Sequence, residues 1–214
     1  NQEVGVRSQE SGVNHPFPIP LLPTPLFPPT PFLYSTLLPT GIAALHAWQP
    51  HWQQGNRTFK WKIGVAPIAE ELGWFEQLTE ALPVGVRLRL DANGGFTETE
   101  ARQWLAACEG TPVEFLEQPL PPEQFAVMLR LSREFATPIA LDESVATLTH
   151  LQACHEQGWR GVFVVKPAIA GFPSRLRQFC RQYQPDVVFS SVFETEVGRS
   201  TALHLATELS DGCR

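Results

Sequence analysis

The 214-residue sequence holds no run of ~20 consecutive apolar residues, the length a membrane-crossing helix needs. Nor does a basic stretch followed by an apolar one mark its first residues. Neither a transmembrane helix nor a signal peptide is expected, and the expected location is the cytoplasm. Cysteine is scarce: Cys108, Cys154, Cys180 and Cys213 lie far apart and form no Cys-x-x-Cys pair. That spacing argues against a zinc ribbon or a thioredoxin-like site and suits a reducing compartment. Basic charge is also short, with 16 Lys and Arg against 22 Asp and Glu and a net charge of -6. No basic stripe is available to neutralise a phosphate backbone, so nucleic acid is not an expected partner. What remains is 43% hydrophobic and 18% charged, enough apolar material for a buried core. The length is short for a full α/β barrel, which takes ~250 residues.

Proline is abundant but unevenly placed. Nine of 20 prolines fall in the first 40 residues: Pro16, Pro18, Pro20, Pro23, Pro25, Pro28, Pro29, Pro31 and Pro39. So many missing amide donors and fixed φ angles forbid a helix or an interior strand. Residues 1–31 therefore read as a Pro-rich irregular segment or linker, with a ligand for an SH3-like partner as the alternative.

From Phe32 to Arg214 the pattern changes. Strand candidates at Phe32–Leu38, Thr58–Ile63, Val86–Leu90, Val113–Leu116, Pro138–Leu141, Gly161–Val165 and Val187–Phe189 alternate with amphipathic segments. Thr97 and Glu100 have capping-box spacing, and Pro122 suits a first helical turn. Leu176, Phe179, Cys180 and Tyr183 repeat at helical spacing, and Gly158 is placed to end a helix begun by Leu148, Leu151 and Cys154. Strands alternating with helices imply βαβ units and a parallel sheet. Seven strands precede a last helix at Arg199–Leu209, so the expected fold is α/β, a (β/α) barrel domain over 32–214 that is incomplete at its C-terminus.

Charge marks the strand ends. Lys62, Asp91, Glu117, Asp142 and Lys166 follow successive strands at separations of 29, 26, 25 and 24 residues. One strand-helix unit takes about that many, so these side chains should converge on the barrel face where active sites lie. Three carboxylates there offer hard oxygen ligands to one divalent cation, the preference of Mg²⁺, with Mn²⁺ as another occupant. Taken singly, each acid is as readily a helix cap or a solvated loop residue, and Lys60 or Lys62 an exposed strand residue. Lys166 is harder to dismiss, lying between the buried-type run Val162-Phe163-Val164-Val165 and Pro167. Arg89, two before Asp91, shares its face, where it either supports the site or pairs with a buried carboxylate.

Lys60-Trp61-Lys62, Asp91-Ala92-Asn93, Glu117-Gln118-Pro119, Asp142-Glu143-Ser144 and Lys166-Pro167 together resemble the muconate-lactonizing branch of the enolase superfamily. The surrounding text, TFKWKIGV, RLRLDANGGF, FLEQPL and ALDES, looks most like the o-succinylbenzoate synthases of menaquinone and phylloquinone pathways. The resemblance implies Mg²⁺ on Asp91, Glu117 and Asp142, and Lys62 as the proton-transferring base with Lys60 beside it. It places Lys166 on the opposite face of a small carboxylate substrate, and Asn93, Ser190 and Ser191 as substrate contacts, although the two serines equally suit a helix cap. The implied reaction is dehydration of 2-succinyl-6-hydroxy-2,4-cyclohexadiene-1-carboxylate through α-proton removal and an enediolate, as that superfamily does with a Lys base and Mg²⁺. In this scheme Lys60, Lys166 and the cation would each disfavour charge on Lys62 and so prepare it as a base.

Racemases and epimerases of N-acylated amino acids or dipeptides share the constellation. A non-catalytic barrel remnant that binds a partner is the reading from another class. Members of the superfamily also carry an α+β capping domain and an eighth strand, for which no pattern is seen in the sequence, so a fragment is expected, with a variant that borrows those parts from a partner as the alternative. Its oligomeric state stays open.

Overall fold

The computed structural model describes residues 34–192 and 195–209. The Pro-rich reading of 1–31 lies outside them. Seven strands, β1 (Ser35–Leu37), β2 (Thr58–Lys62), β3 (Arg87–Asp91), β4 (Val113–Glu117), β5 (Ile139–Leu141), β6 (Val162–Val165) and β7 (Val187–Phe189), form one parallel sheet in sequence order. Among the described residues the sheet does not close, since β7 pairs with β6 alone and β1 with β2 alone. The expected strands are all present, β7 with the expected bounds and the others with one or both ends moved by up to three residues.

Crossovers are made by α1 (Ala44–Gln53), α2 (Ile68–Ala81), α3 (Glu98–Cys108), α4 (Phe125–Glu134), α5 (Leu148–Glu156), and a four-residue α6 (Pro167–Ala170) with α7 (Pro173–Tyr183), while α8 (Glu196–Leu209) follows β7. Local chemistry sets their limits. The Thr97 side chain accepts from the Glu100 amide while the Glu100 carboxylate accepts from the Thr97 amide, the reciprocal cap expected at the start of α3. Pro122 opens a short 3-10 turn ahead of α4 instead of α4 itself. Gly158, at φ 97°, follows α5 in a conformation that a Cβ would oppose.

Alternation along the strands divides the core into two. Phe59, Trp61, Leu88, Leu90, Leu116, Leu141 and Phe163 point outward into the layer beneath the helices. Trp104 of α3 centres that layer, 5.4 Å from Phe75, 6.1 Å from Phe96 and 6.3 Å from Trp61 by ring centroids. Phe115, Ala140, Val162, Val164 and Val188 form a smaller cluster on the inner face. Because side chains alternate, the inner-face residue at the end of each strand carries the next position of that row. Above Phe115 comes Glu117, above Ala140 comes Asp142, above Val164 comes Lys166, and above Val188 comes Ser190.

Candidate functional site

The register fixes which charges become neighbours. Lys62 pairs with Asp91 across β2 and β3, and Asp91 with Glu117 across β3 and β4. Inner-face Lys60 lies one row lower and reaches both acids, at 2.7 Å from Asp91 Oδ2 and 2.8 Å from Glu117 Oε1. Asp91, Glu117 and Asp142 are all buried. Burial pushes the Glu117 carboxyl up to about 8, with the Asp91 and Asp142 charges adding and Lys60 opposing. Burial by itself would depress the Lys60 ammonium, but the Glu117 and Asp91 charges and hydrogen bonds outweigh it and hold Lys60 above the ordinary lysine value.

Lys166, immediately after β6, makes the second pair, with Nζ 2.6 Å from Asp142 Oδ2 and 2.5 Å from Oδ1. All five expected strand-end charges thus lie on one face at one end of the sheet, and four of them, Asp91, Glu117, Asp142 and Lys166, are held in two ion-pair sets, the first built on Lys60 and the second on Lys166. Lys62 is the exception. It is exposed at the end of β2 and makes no hydrogen bond or ion pair among the described residues. The structure therefore differs from the expected crowd of cations around Lys62, because the charges of Lys60 and Lys166 are each offset by carboxylates in contact with them.

The remaining expected residues resolve individually. Arg89 is buried and pairs with Glu114 at 2.6 Å, over the Phe115 ring, and does not touch the site acids. Of the two expected partners, the one Arg89 contacts is the buried carboxylate. Glu114 is inward because the β3–β4 register shifts between Leu88 and Arg89, which inserts it as the extra residue of a bulge. Asp91 Oδ1 accepts from the Asn93 amide at 3.0 Å, so Asp91 also shapes its own turn. Asn93, at φ 46°, gives its side-chain amide to Glu143 Oε1 at 3.2 Å. Asp142 makes no side-chain cap to the turn that follows. Ser190 follows β7, its amide bound to the Val165 carbonyl at 2.9 Å and its hydroxyl donating to the Ser191 carbonyl at 3.4 Å. Ser191 is exposed beside it.

Two structurally important residues escaped the sequence reading. Gln118 is fully buried between Glu117 and Asp142 and bonds to both flanking loops. Its signal was its place inside Glu117-Gln118-Pro119, where an amide directly follows a strand-end acid. Glu71 of α2 is also fully buried, accepting the amides of Gly64, Val65 and Ala66 at 2.7, 2.9 and 3.1 Å and so clamping the loop after Lys62. Its signal was helical spacing, since Glu71 shares a face with Phe75 and Leu78 at i, i+4 and i+7 while its exposed neighbour Glu70 does not.

Among the described residues, no three His, Cys, Asp or Glu side chains are gathered closely enough to hold a metal ion as they stand. The donor chemistry nonetheless fits a hard divalent cation. Three buried carboxylates share one rim, one of them is forced upward by burial and by the other two, and the cluster draws in two ammonium groups as its countercharge. Glu143 Oε2, next in sequence to Asp142, is shut off from solvent with no hydrogen-bond partner.

A family model described as enolase C-terminal domain-like matches residues 44–212. The o-succinylbenzoate synthase of Thermosynechococcus vestitus is 42% identical over 180 residues, covering 82% of this chain and 56% of that protein. The N-succinylamino acid racemase of Thermus thermophilus is 31% identical over 176 residues, covering 79% of this chain and 45% of the relative. Among solved structures, the o-succinylbenzoate synthase of Thermosynechococcus elongatus, complexed with Mg in its active site, superposes with a TM-score of 0.78 at 40% identity, over 82% of this chain and 57% of that one. The L-Ala-D/L-Glu epimerase of Bacillus subtilis, at 24% identity and TM-score 0.70 over 80% of this chain and 50% of its own, shares the fold. The chain spans about half the length of the curated relatives it matches.

Proposed function

The chain belongs to the enolase C-terminal domain-like family, and from that premise we propose that its charged rim serves a Mg²⁺-dependent carbon-oxygen lyase, an o-succinylbenzoate synthase. The observation that carries this reading is the 42% identity to an o-succinylbenzoate synthase over 82% of the chain, within which all five strand-end charges fall.

Asp91, Glu117 and Asp142 are the residues that would hold the cation. Bound there, Mg²⁺ would supply Lewis acidity toward a substrate carboxylate and so make its α-proton removable. The chain's own groups do the rest. Lys62 Nζ, uncommitted and exposed at the rim, takes the α-proton in its neutral form. Lys166 Nζ, held on Asp142, keeps its proton and opposes the negative charge that develops on the substrate. The β-carbon to oxygen bond then breaks, Lys62 Nζ returns its proton to the departing hydroxyl, and water leaves as the ring becomes aromatic. Lys60, bound to Asp91 and Glu117, keeps two acids from repelling each other. Asn93 is assigned as a substrate contact, and Ser190 and Ser191 as donors to a second substrate carboxylate.

A second reading, N-succinylamino acid racemisation, is favoured by the 31% identity to the Thermus enzyme. It uses Lys62 and Lys166 as acid and base on opposite faces, with no bond to oxygen broken.

The test incubates the chain with Mg²⁺ and the cyclohexadiene substrate, following aromatic absorbance. In parallel, α-deuterium uptake is followed in an N-succinylamino acid. Absorbance that rises with the wild type and is abolished in Lys62→Ala supports the lyase. Deuterium uptake without aromatisation supports the racemase, and a chain that neither turns over nor binds Mg²⁺ leaves the binding-module reading.

A further inference from the structure

We propose that Gln118 is a positioning residue that holds Glu117 and Asp142 together as a ligand pair for a divalent cation, an inference that rests on the metal-dependent function proposed above. Gln118 has no exposed surface. Its side chain leaves the end of β4 and crosses to the loop after β5. There Oε1 accepts from the Asp142 amide at 2.9 Å and from the Ser144 amide at 3.2 Å. Nε2 donates to the Ser144 hydroxyl at 2.8 Å and to the Leu120 carbonyl at 2.9 Å. Both lone-pair directions of its oxygen and both protons of its nitrogen are used, as a buried amide requires.

Its backbone reaches the other neighbours. The Gln118 amide donates to the Ala140 carbonyl at 2.8 Å, and its carbonyl accepts from the Gly94 amide at 2.7 Å, in the turn that follows Asp91. One residue therefore touches the three loops that carry Asp91, Glu117 and Asp142. Gln118 also sits at φ 37°, a left-handed conformation that a residue with a Cβ adopts only when its surroundings hold it there. A buried amide that only needed satisfying would find partners in its own strand. This one spends its bonds on the backbone of Asp142 while following Glu117 directly, so the length of its side chain sets the spacing of the two acids.

Gln118→Asn separates this role from general stability. Asparagine keeps the amide and tolerates positive φ better than glutamine, but it is one methylene too short to span to Asp142. Gln118→Met keeps the length and removes the hydrogen bonds. Ser144→Ala deletes one partner and leaves the Asp142 contact intact. Mn²⁺ is the probe, with binding read from loss of the free-ion paramagnetic resonance signal and folding from circular dichroism and thermal melts.

The expected result is a folded Gln118→Asn chain whose Mn²⁺ affinity falls about tenfold or more, the loss typical of a group that orients metal ligands, with Ser144→Ala within about threefold of wild type. Wild-type affinity in folded Gln118→Asn and Gln118→Met overturns the proposal. Loss of the fold in both makes Gln118 a pillar of the core and overturns it equally. A wild-type chain that binds no Mn²⁺ removes the metal-dependent function itself, an outcome distinct from one in which the wild type binds Mn²⁺ and the variants bind it equally well.

Discussion

Replacing Glu71 by alanine should loosen one loop far more than its place in the first turn of α2 suggests. Glu71 is fully buried and its two oxygens accept three consecutive backbone amides, Gly64, Val65 and Ala66, at 2.7 to 3.1 Å. Hydrogen bonds to a charged acceptor contribute about 1.5–3 kcal/mol each, and a donor left without a partner costs about 1–3 kcal/mol. Gly64 and Val65 are exposed, so water recovers part of what their amides lose. The net loss for Glu71→Ala is then about 3–5 kcal/mol, or a fall of about 10 °C in midpoint for a chain of this size.

Glu71→Gln keeps one carbonyl oxygen but turns an NH₂ group toward amide donors, and should fall between the two. Thermal melts measure the global effect, and hydrogen exchange locates it. Gly64, Val65 and Ala66 should lose about a hundredfold in protection, using ~1.4 kcal/mol per factor of ten. A midpoint within about 2 °C of wild type, with exchange at those amides unchanged, would refute the clamp. The loop begins two residues after Lys62, and Gly64 is held from the other side by Phe96, whose ring lies 3.1 Å from any Cβ added there. Under the proposed function, loss of the clamp should therefore lower turnover without changing metal affinity.

The remaining predictions concern other charges and a thiol. Arg89→Met strands the Glu114 carboxylate, whose side chain is 6% exposed and keeps only the longer 3.3 Å contact to Arg87, and should destabilise by about 3 kcal/mol. The double variant Arg89→Met/Glu114→Gln should recover most of that loss in urea unfolding, and additive losses would refute the pair. Glu208 is held below its ordinary 4.5 chiefly by the hydrogen bond from Arg177, against slight burial and with the Arg177 and Arg181 charges helping. Its contribution is thus present above 4.5 and lost as pH falls through the lowered value. The melting difference between wild type and Glu208→Gln should be seen at neutrality and vanish in acid, and a difference that grows in acid would reverse the assignment. Burial pushes the Cys108 thiol up to about 12, so iodoacetamide at mildly alkaline pH should leave Cys108 unlabelled in the folded chain and label it in denaturant.

Periodicity made much of this fold legible. All seven strands, the reciprocal Thr97 and Glu100 cap, and the Gly158 stop follow from local rules of spacing and backbone freedom. The rim was legible for the same reason. A repeat of constant length brings residues at constant sequence spacing to one end, so spacing alone groups Asp91, Glu117 and Asp142. Glu114 was not legible, because strict alternation puts it among the helices with Leu116 and only a bulge turns it inward to Arg89. Glu70 and Glu71 are alike as letters, yet one is exposed and the other fully buried.

What the sequence determined by itself was therefore the parallel α/β plan, the strand ends that carry charge, and the kind of cation three carboxylates would favour. Tertiary structure alone decided which partners those charges take. Lys60 rather than Lys62 reaches Asp91 and Glu117, Lys166 closes on Asp142, and the Lys62 side chain has no partner among the described residues. The reason is that a strand tells which face a side chain leaves from. How far it reaches, and what it meets there, depends on the register of neighbouring strands, and that register is fixed by hydrogen bonds and packing between segments distant in the chain.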